Sequence, residues 1–187
     1  MAQSKILLDT NSYLRLAKSI HPLLFKCFGP EDYCLYVLKE LDEEVSRNRR
    51  LKSKFAWVDE HGFRENRQTR LTVSKDQKRD ISLTEDLLWD HVIHELHGPS
   101  RIDCRVLAHA SVLDVPAITD DGDMLELAEA FEIKVMTTLQ LLKLMHLCQH
   151  VTVAKIRQIA AYWAYESDLP RNFAVDYRNH FGEDPPT

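Results

Sequence analysis

The sequence has no apolar run that approaches the roughly 18–20 residues needed to cross a membrane as a helix. Its first apolar stretch, ILL in MAQSKILLD, is too short for a signal peptide and leads straight into a segment typical of a core strand. The chain also contains no internal repeat and no low-complexity region. From these absences we expect a cytoplasmic protein without a membrane partner.

Cysteine is scarce, and no two cysteines form a CxxC pair. The chain has four, of which three lie inside apolar runs: Cys27, Cys34, Cys104 and Cys148. A cytosolic chain of 187 residues can bury a sizeable core without disulfides. We therefore predict buried thiols.

A histidine-rich segment also lacks the pattern that would give it a clear role. HVIHELH, residues 91–97, does not have the HExxH spacing with which a helix presents two histidines to zinc. A solvated or interface helix is the favoured interpretation, and a zinc site is the alternative.

The chain is ordinary in composition but uneven in charge. Its 44% hydrophobic and 28% charged residues are typical of a globular protein with one core. The net charge is −5, yet residues 47–80 carry eleven Lys or Arg against five Asp or Glu, a net of +6. By default this basic segment is a solvated surface, and RNA contact is the alternative. The candidate contacts are Arg47, Arg49, Arg50, Lys52 and Lys54.

Strand and helix patterns alternate along the chain, which favours an α/β fold with parallel strands and helices on both faces. The predicted strands are 6–8, 33–38, 115–119 and 133–136. The predicted helices are 13–28, 39–54, 82–97, 101–113, 125–131, 139–148 and one more after residue 152. Between residues 55 and 82 the pattern weakens, and we expect a loop or a small β-hairpin there.

Four carboxylates lie at the edges of these predicted elements. Asp9 and Asp121 each follow a strand, Glu40 comes just after the strand 33–38, and Asp103 lies in the first turn of a helix. Ligands of open parallel sheets bind beyond the carboxyl ends of the strands, and converging carboxylates suit a hard divalent cation. Taken singly, each acid is more typical of a helix cap, a solvated helix start or a turn than of a metal site.

The motifs LLDTN, VLKEL, RIDCRVLAHA and AITDDGDML, in this order, resemble those of the PIN-domain nucleases, a family that includes toxin ribonucleases. The resemblance covers residues 4–146, with an expanded stretch at 41–102, and IKVMTTLQLLKL resembles the way the family ends its sheet. It implies a three-layer α/β/α sandwich with a central, mostly parallel sheet. The expected division is a nuclease domain at 1–150, with a basic insertion at about 47–82, and a helical extension at 151–187 packed on the same domain.

The resemblance also implies a function, the hydrolysis of RNA phosphodiester bonds with Mg²⁺ or Mn²⁺. The implied catalytic and metal-binding positions are Asp9, Glu40, Asp103 and Asp121, with Asp123 as a further metal ligand. Asp120 and Asp123 flank Asp121, so the choice among these three stays open. Residues that would orient the carboxylates or a bound water are Thr10, Asn11 and Thr119.

Two alternatives to an RNA nuclease remain at this stage. The same metal chemistry acts on DNA, because attack at a phosphate does not require the 2′-hydroxyl. A second alternative is an inactive module that binds nucleic acid or protein. The resemblance further implies a possible toxin role with an antitoxin-type inhibitor, and a possible homodimer.

Overall fold

A four-stranded parallel sheet organises the chain in the structure, a computed structural model that describes residues 3–21, 23–68 and 71–186. The strands are β1 Ser4–Leu8, β2 Tyr33–Val37, β3 Ala117–Ile118 and β4 Val135–Met136. Their order across the sheet is β2-β1-β3-β4, so β1 lies centrally, between β2 and β3. The carboxyl ends of all four strands therefore share one edge.

Alternate strand residues enter two separate hydrophobic cores, one on each face of the sheet. Ile6 and Leu8 of β1 pack in the first core, whereas Leu7 packs in the second. Leu35 and Cys34 of β2 divide in the same way. Side chains of a strand point alternately to its two faces, so helices must cover both. The predicted three-layer α/β/α sandwich is confirmed.

Helices supply the two outer layers. In chain order they are α1 Thr10–Ala17, α2 Glu40–Arg47, α3 Arg49–Lys54, α4 His61–Asn66, α5 Lys75–His91, α6 Arg101–Leu113, α7 Gly122–Ala130, α8 Thr138–Leu147, α9 Val153–Tyr165 and α10 Phe173–Phe181. A 3₁₀ turn, Ala56–Asp59, precedes α4, and a π-helical turn, Val92–Leu96, continues α5. Helices α1, α8, α9 and α10 contribute to the first core, and α5, α6 and α7 to the second.

The expected loop or hairpin at 55–82 is largely wrong, because most of the described part of that segment is helical and residues 71–74 form a short loop between helices. Three aromatic residues of this segment pack against the first core: Phe55, Trp57 and Phe63. Charged residues between them interrupt the apolar pattern, so the sequence does not indicate this packing. Helix α5 begins at Lys75, ahead of the predicted start at Ser82, since Ser74 forms a reciprocal capping box with Gln77. Thr69 and Arg70 lie outside the described residues.

Three other element predictions need correction. The helix predicted for 39–54 is two helices, since the Asn48 side chain accepts hydrogen bonds from the first-turn N–H groups of α3. The helix predicted for 13–28 ends already at Ala17. Where one helix was predicted after residue 152, the structure has two, α9 and α10. Cys27 is exposed, so the prediction of buried thiols fails there. Among the described residues, no helix is long and apolar enough to span a membrane.

Helices α9 and α10 are joined to the sheet through α1. Trp163 of α9 is 1% exposed in the first core, and its indole Nε1 donates a hydrogen bond to the carbonyl of Arg15, 3.0 Å away. The guanidinium of Arg15 in turn pairs with Asp120 beyond β3 and with Asp168 beyond α9. The C-terminal helices thus fix the helix that follows β1. The division into a domain at 1–150 and an extension at 151–187 stays a prediction.

Replacing Trp163 by alanine tests this attachment. We expect Trp163→Ala to lower the free energy of unfolding by about 3–5 kcal/mol, because the substitution leaves a cavity and removes a buried hydrogen bond. Urea unfolding followed by circular dichroism measures the change. Tyr165→Ala on the same helix is the control, since Tyr165 is 84% exposed and should cost no more than about 0.5 kcal/mol. Equal losses in both variants would contradict the prediction.

Candidate active site

Asp9 is a buried carboxylate at the end of the central strand. It is 3% exposed and caps α1, because its Oδ1 accepts a hydrogen bond from the N–H of Ser12. Burial raises the pKa of Asp9 to about 6, although the hydroxyls of Thr119 and Ser12 lower it and the nearby charge of Asp120 raises it further. Among the described residues no Lys or Arg forms an ion pair with it.

Asp103 and Asp121 follow the same arrangement at two other helices. Asp103 lies in the first turn of α6, where its Oδ2 accepts from the N–H of Ser100 at 2.7 Å. Asp121 caps α7, and its Oδ1 accepts from the N–H groups of Asp123 and Met124, each at 3.0 Å. Each of the three aspartates thus commits one oxygen to a helix N-terminus. This leaves the second oxygen of each without a backbone hydrogen bond in the described chain.

The acids interact electrostatically across the elements that carry them. Burial raises the pKa of Asp103, and the charge of Asp121 raises it further. Burial likewise raises the pKa of Glu44 on α2, the hydrogen bond from Thr10 lowers it, and the charge of Asp103 raises it. Like charges have these effects only at short range in a partly buried setting. The structure therefore brings Asp9, Asp103, Asp121 and Glu44 to one edge of the sheet.

Glu40 is directed elsewhere. It is 6% exposed, and its Oε1 accepts a hydrogen bond from Nη1 of Arg105 at 2.9 Å. The same guanidinium holds Glu85 of α5 through bonds of 2.7 and 3.1 Å. Burial alone would raise the pKa of Glu85, but hydrogen bonds from Arg105 and Arg101 lower it below its ordinary value. The assignment of Glu40 as a metal ligand stays a prediction.

Glu44 is the acid that the sequence analysis missed. It lies one helical turn after Glu40, is half-buried, and its Oε2 accepts from the hydroxyl of Thr10 at 2.6 Å. Thr10 directly follows Asp9 in the sequence, so the hydrogen bond from Thr10 holds Glu44 next to the residue after Asp9. The sequence could have indicated Glu44 through its spacing, because residues four apart in a helix share one face and Glu44 is four residues after Glu40.

The two acids that flank Asp121 differ in their surroundings. Asp120 is engaged by Arg15, and it also accepts from the backbone N–H of Thr138 at 3.0 Å and from the hydroxyl of Thr138 at 2.6 Å. Its oxygens are therefore occupied by structural contacts. Asp123 is exposed, and its side chain packs against the backbone of Gly98. Asp121 and Asp123 are both exposed, and the assignment of either as a metal ligand stays a prediction.

The three polar residues predicted to orient the site lie beside it. Thr10 donates to Glu44, as described above. Thr119 is fully buried, its hydroxyl lowers the pKa of Asp9, and it accepts from the N–H of Asp121 at 3.1 Å. Asn11 lines a groove of about 320 Å³ together with Asp121 and Lys54. This groove connects the acidic edge with the end of α3.

The predicted nucleic-acid contacts are all exposed: Arg47, Arg49, Arg50, Lys52 and Lys54. Lys54 lines the groove that Asp121 also lines, and its Nζ lies 5.1 Å from the centre of the Phe55 ring. Arg47 is paired with Glu43 at 3.2 Å on the surface of α2. Of these five residues, Lys54 is thus the one that lines the same groove as Asp121.

The described residues contain no ready-made metal site. No three His, Cys, Asp or Glu side chains in residues 3–21, 23–68 and 71–186 are arranged to hold an ion. The segment 91–97, for which zinc was the alternative, therefore shows no such arrangement either. The donor chemistry nevertheless fits Mg²⁺ or Mn²⁺, which bind through carboxylate oxygen and retain water. Asp9 in particular is a buried carboxylate whose pKa burial raises.

Comparisons with known proteins give little further identification. No family model matches the chain, and no curated protein matches it. Among solved structures, the chain is similar to the crystal structure of FitAcB from Neisseria gonorrhoeae, with 14% sequence identity and a TM-score of 0.46. The match covers 71% of this chain and 97% of that chain. A similarity this low does not identify the residues of a functional site.

The raised pKa of Asp9 predicts a pH-dependent cost to stability. The folded chain keeps the Asp9 proton up to about pH 6, whereas the unfolded chain releases it near pH 3.8. The unfolded state therefore binds fewer protons in this window, and the free energy of unfolding falls as the pH rises through it. Above pH 6 the cost is about 2–3 kcal/mol.

We expect Asp9→Asn, which stays neutral, to be more stable than the unsubstituted protein above pH 6. The difference should shrink as the pH falls through the window and vanish below about pH 4. Urea unfolding in metal-free buffer at several pH values measures it. Asp114→Asn, at an exposed residue paired with Lys134, is the control and should show no such trend. An Asp9→Asn variant that is less stable at pH 7.5 would refute the prediction.

Proposed function

We propose that the protein is a metal-dependent phosphodiesterase of the PIN-domain type that cleaves RNA. The observation that carries the proposal is the shared arrangement of Asp9, Asp103 and Asp121. Each accepts a backbone hydrogen bond at the start of a helix through one oxygen and lies at the carboxyl edge of the parallel sheet. That edge is where open α/β sheets bind their ligands.

The three aspartates would hold a divalent cation, which when bound makes a coordinated water more acidic and stabilises charge on the phosphoryl oxygens. The backbone hydrogen bonds at the helix starts restrict the direction of each carboxylate, and binding an ion would require the three to move closer together. The Thr119 hydroxyl lies beside Asp9 and supports its charged form. Burial of Asp9 excludes bulk water from one side of the site.

The groove lined by Asn11, Asp121 and Lys54 is the proposed path for the nucleic-acid strand. An ammonium near the acids draws a phosphate toward an edge that would otherwise repel it. Phe55, which also lines the groove and is partly buried, is the aromatic residue on which a base would stack. A single strand fits this combination of a cation and an aromatic side chain.

The wider biological role remains as the sequence predicts it. A toxin ribonuclease needs an inhibitor, and the open carboxylate oxygens of this site offer a place for a basic side chain of such a partner. Homodimer formation and a cytoplasmic location are further predictions of the same kind. None of the described residues identifies a partner.

Cleavage assays test the proposed activity. We expect the purified protein to cleave labelled single-stranded RNA in Mn²⁺ and not in EDTA. Asp9→Asn and Asp121→Asn should each reduce the rate roughly 100-fold or more, because each removes a charged ligand. Asp114→Asn, on the opposite edge of the sheet, is the matched control. Absence of cleavage of both RNA and DNA, or an unchanged rate in Asp9→Asn, would overturn the proposal; cleavage of DNA alone would favour the DNA alternative.

Binding measurements test the proposed strand path. We expect Lys54→Ala to weaken binding of a fluorescent single-stranded RNA about threefold and to reduce the salt slope by about 0.7, the value for one lost phosphate contact on a single strand. Anisotropy titrations in EDTA at several salt concentrations measure both quantities without cleavage. Lys134→Ala, whose ammonium pairs with Asp114 away from the groove, should change neither. An identical salt slope in all three proteins would exclude Lys54 from the path.

A further inference from the structure

We propose that Cys27 and Cys34 form a reversible disulfide, which makes the turn before β2 a site of oxidative modification. Both thiols are free in the structure, and they differ in accessibility, since Cys27 is exposed whereas Cys34 is 0% exposed. The pair lies away from the acidic edge, because Cys34 is near the start of β2, while Asp9 and Glu40 come after the carboxyl ends of their strands. The inference therefore stands independently of the proposed function.

Backbone hydrogen bonds place the two cysteines opposite each other. Phe28 and Tyr33 exchange two backbone bonds, of 2.9 and 3.0 Å, across the turn formed by residues 29–32. In an antiparallel pairing, the residues next to such a hydrogen-bonded pair form a non-hydrogen-bonded pair, whose Cα atoms are about 4.5 Å apart. One step away from the turn, these residues are Cys27 and Cys34. A disulfide joins residues whose Cα atoms are about 4.4–6.8 Å apart, so a pair in this position is within its reach.

Side-chain contacts place the two thiols on the same face. Cys34 and Tyr36 of β2 both pack in the second core, because residues two apart on a strand point to one face. The side chain of Gln3 connects Tyr36 with Cys27, since its Oε1 accepts from the Tyr36 hydroxyl and its Nε2 donates to Sγ of Cys27 at 3.2 Å. Cys27 therefore lies on the face to which Cys34 points. A hydrogen bond between the two thiols agrees with this placement.

The surroundings of the two thiols assign them to different steps of the reaction. An oxidant reaches Cys27 first, because Cys34 is enclosed by the second core. Burial raises the pKa of Cys34 to about 11, and the hydrogen bond and charge of Cys27 contribute in the same direction. Since the thiolate is the reactive form, Cys34 reacts little with an oxidant in solution and reacts when an oxidised sulfur lies beside it.

A hydroperoxide is the oxidant in the proposed reaction. The Cys27 thiolate attacks one oxygen of hydrogen peroxide and the O–O bond breaks, which leaves a sulfenic acid at Cys27 and hydroxide, and the hydroxide takes up the thiol proton to give water. The sulfur of Cys34 then attacks the sulfur of Cys27, so that an S–S bond forms and the sulfenic hydroxyl leaves with the Cys34 proton as water. The two thiols together lose two electrons and two protons. A dithiol reductant reverses the modification by thiol–disulfide exchange.

Cys148 is another cysteine close to this turn, and it supplies a matched control. Its Sγ occupies the space that a Cβ atom at Gly29 would need, so Cys148 packs against the turn itself. It also packs on the first core, whereas Cys34 lies in the second core on the opposite face of the sheet. Cys148 is therefore not expected to pair with Cys27.

Oxidation of the reduced full chain by hydrogen peroxide in EDTA, followed by mass spectrometry, tests the proposal. We expect the intact chain to lose two hydrogens and two of its four free thiols, and dithiothreitol to restore both. Trypsin and a glutamyl endopeptidase together separate the two cysteines, because Lys26 directly precedes the pair and Glu31 lies between its members. In the oxidised protein, the two resulting peptides should remain linked.

Three variants, checked for folding by circular dichroism, complete the test. Cys34→Ala should abolish the link and leave a sulfenic acid at Cys27 that dimedone traps. Cys27→Ser changes an exposed residue and should prevent both the link and the trapping. Cys148→Ser should form the link as the unsubstituted protein does.

Several results would overturn the proposal. One is an oxidised protein in which the two peptides are not linked, and another is a disulfide between Cys27 and Cys148. An unchanged loss of two hydrogens in either Cys27→Ser or Cys34→Ala would have the same meaning, because neither variant retains both members of the pair.

Discussion

The hydrogen bond between an aspartate oxygen and a backbone N–H at the start of a helix is the contact on which the site depends. Asp9, Asp103 and Asp121 each make it, at α1, α6 and α7 respectively. A helix N-terminus stabilises the negative charge, and the bond fixes the rotamer. Because all three helices begin at the same edge of the sheet, fixing the helices also fixes the carboxylates. The same bonds that stabilise the fold therefore also restrict the orientation of the acids.

The sequence was informative wherever the local pattern and the tertiary environment agree. The strands β1 and β2 have nearly continuous apolar runs, and the parallel sheet with helices on both faces followed from their alternation with helical segments. Asp9, Asp103 and Asp121 were placed at element edges, and the structure brings them to one edge.

Sequence patterns failed where long-range contacts decide the structure. Residues 55–68 read as irregular because charges interrupt the apolar residues, yet buried Arg67 donates to the Tyr13 hydroxyl and to the carbonyl of Val58, each at 3.1 Å, and holds the segment on α1. The burial of Glu40 likewise depends on its ion pair with Arg105, 65 residues later in the chain. No local signal carries that information, because an arginine on one predicted helix gives no indication of which acid it will meet.

The contacts of Arg15 have a consequence for the order in which the molecule is assembled. Its carbonyl receives the Trp163 indole, and its guanidinium bridges Asp120 and Asp168, so one residue of the first helix is joined to partners 105, 148 and 153 positions further along the chain. During synthesis on the ribosome, α1 emerges long before these partners exist. The first helix can reach its final position only when nearly the whole chain has been translated, and a growing chain therefore carries the first aspartate for most of its synthesis without the surroundings that make it a site.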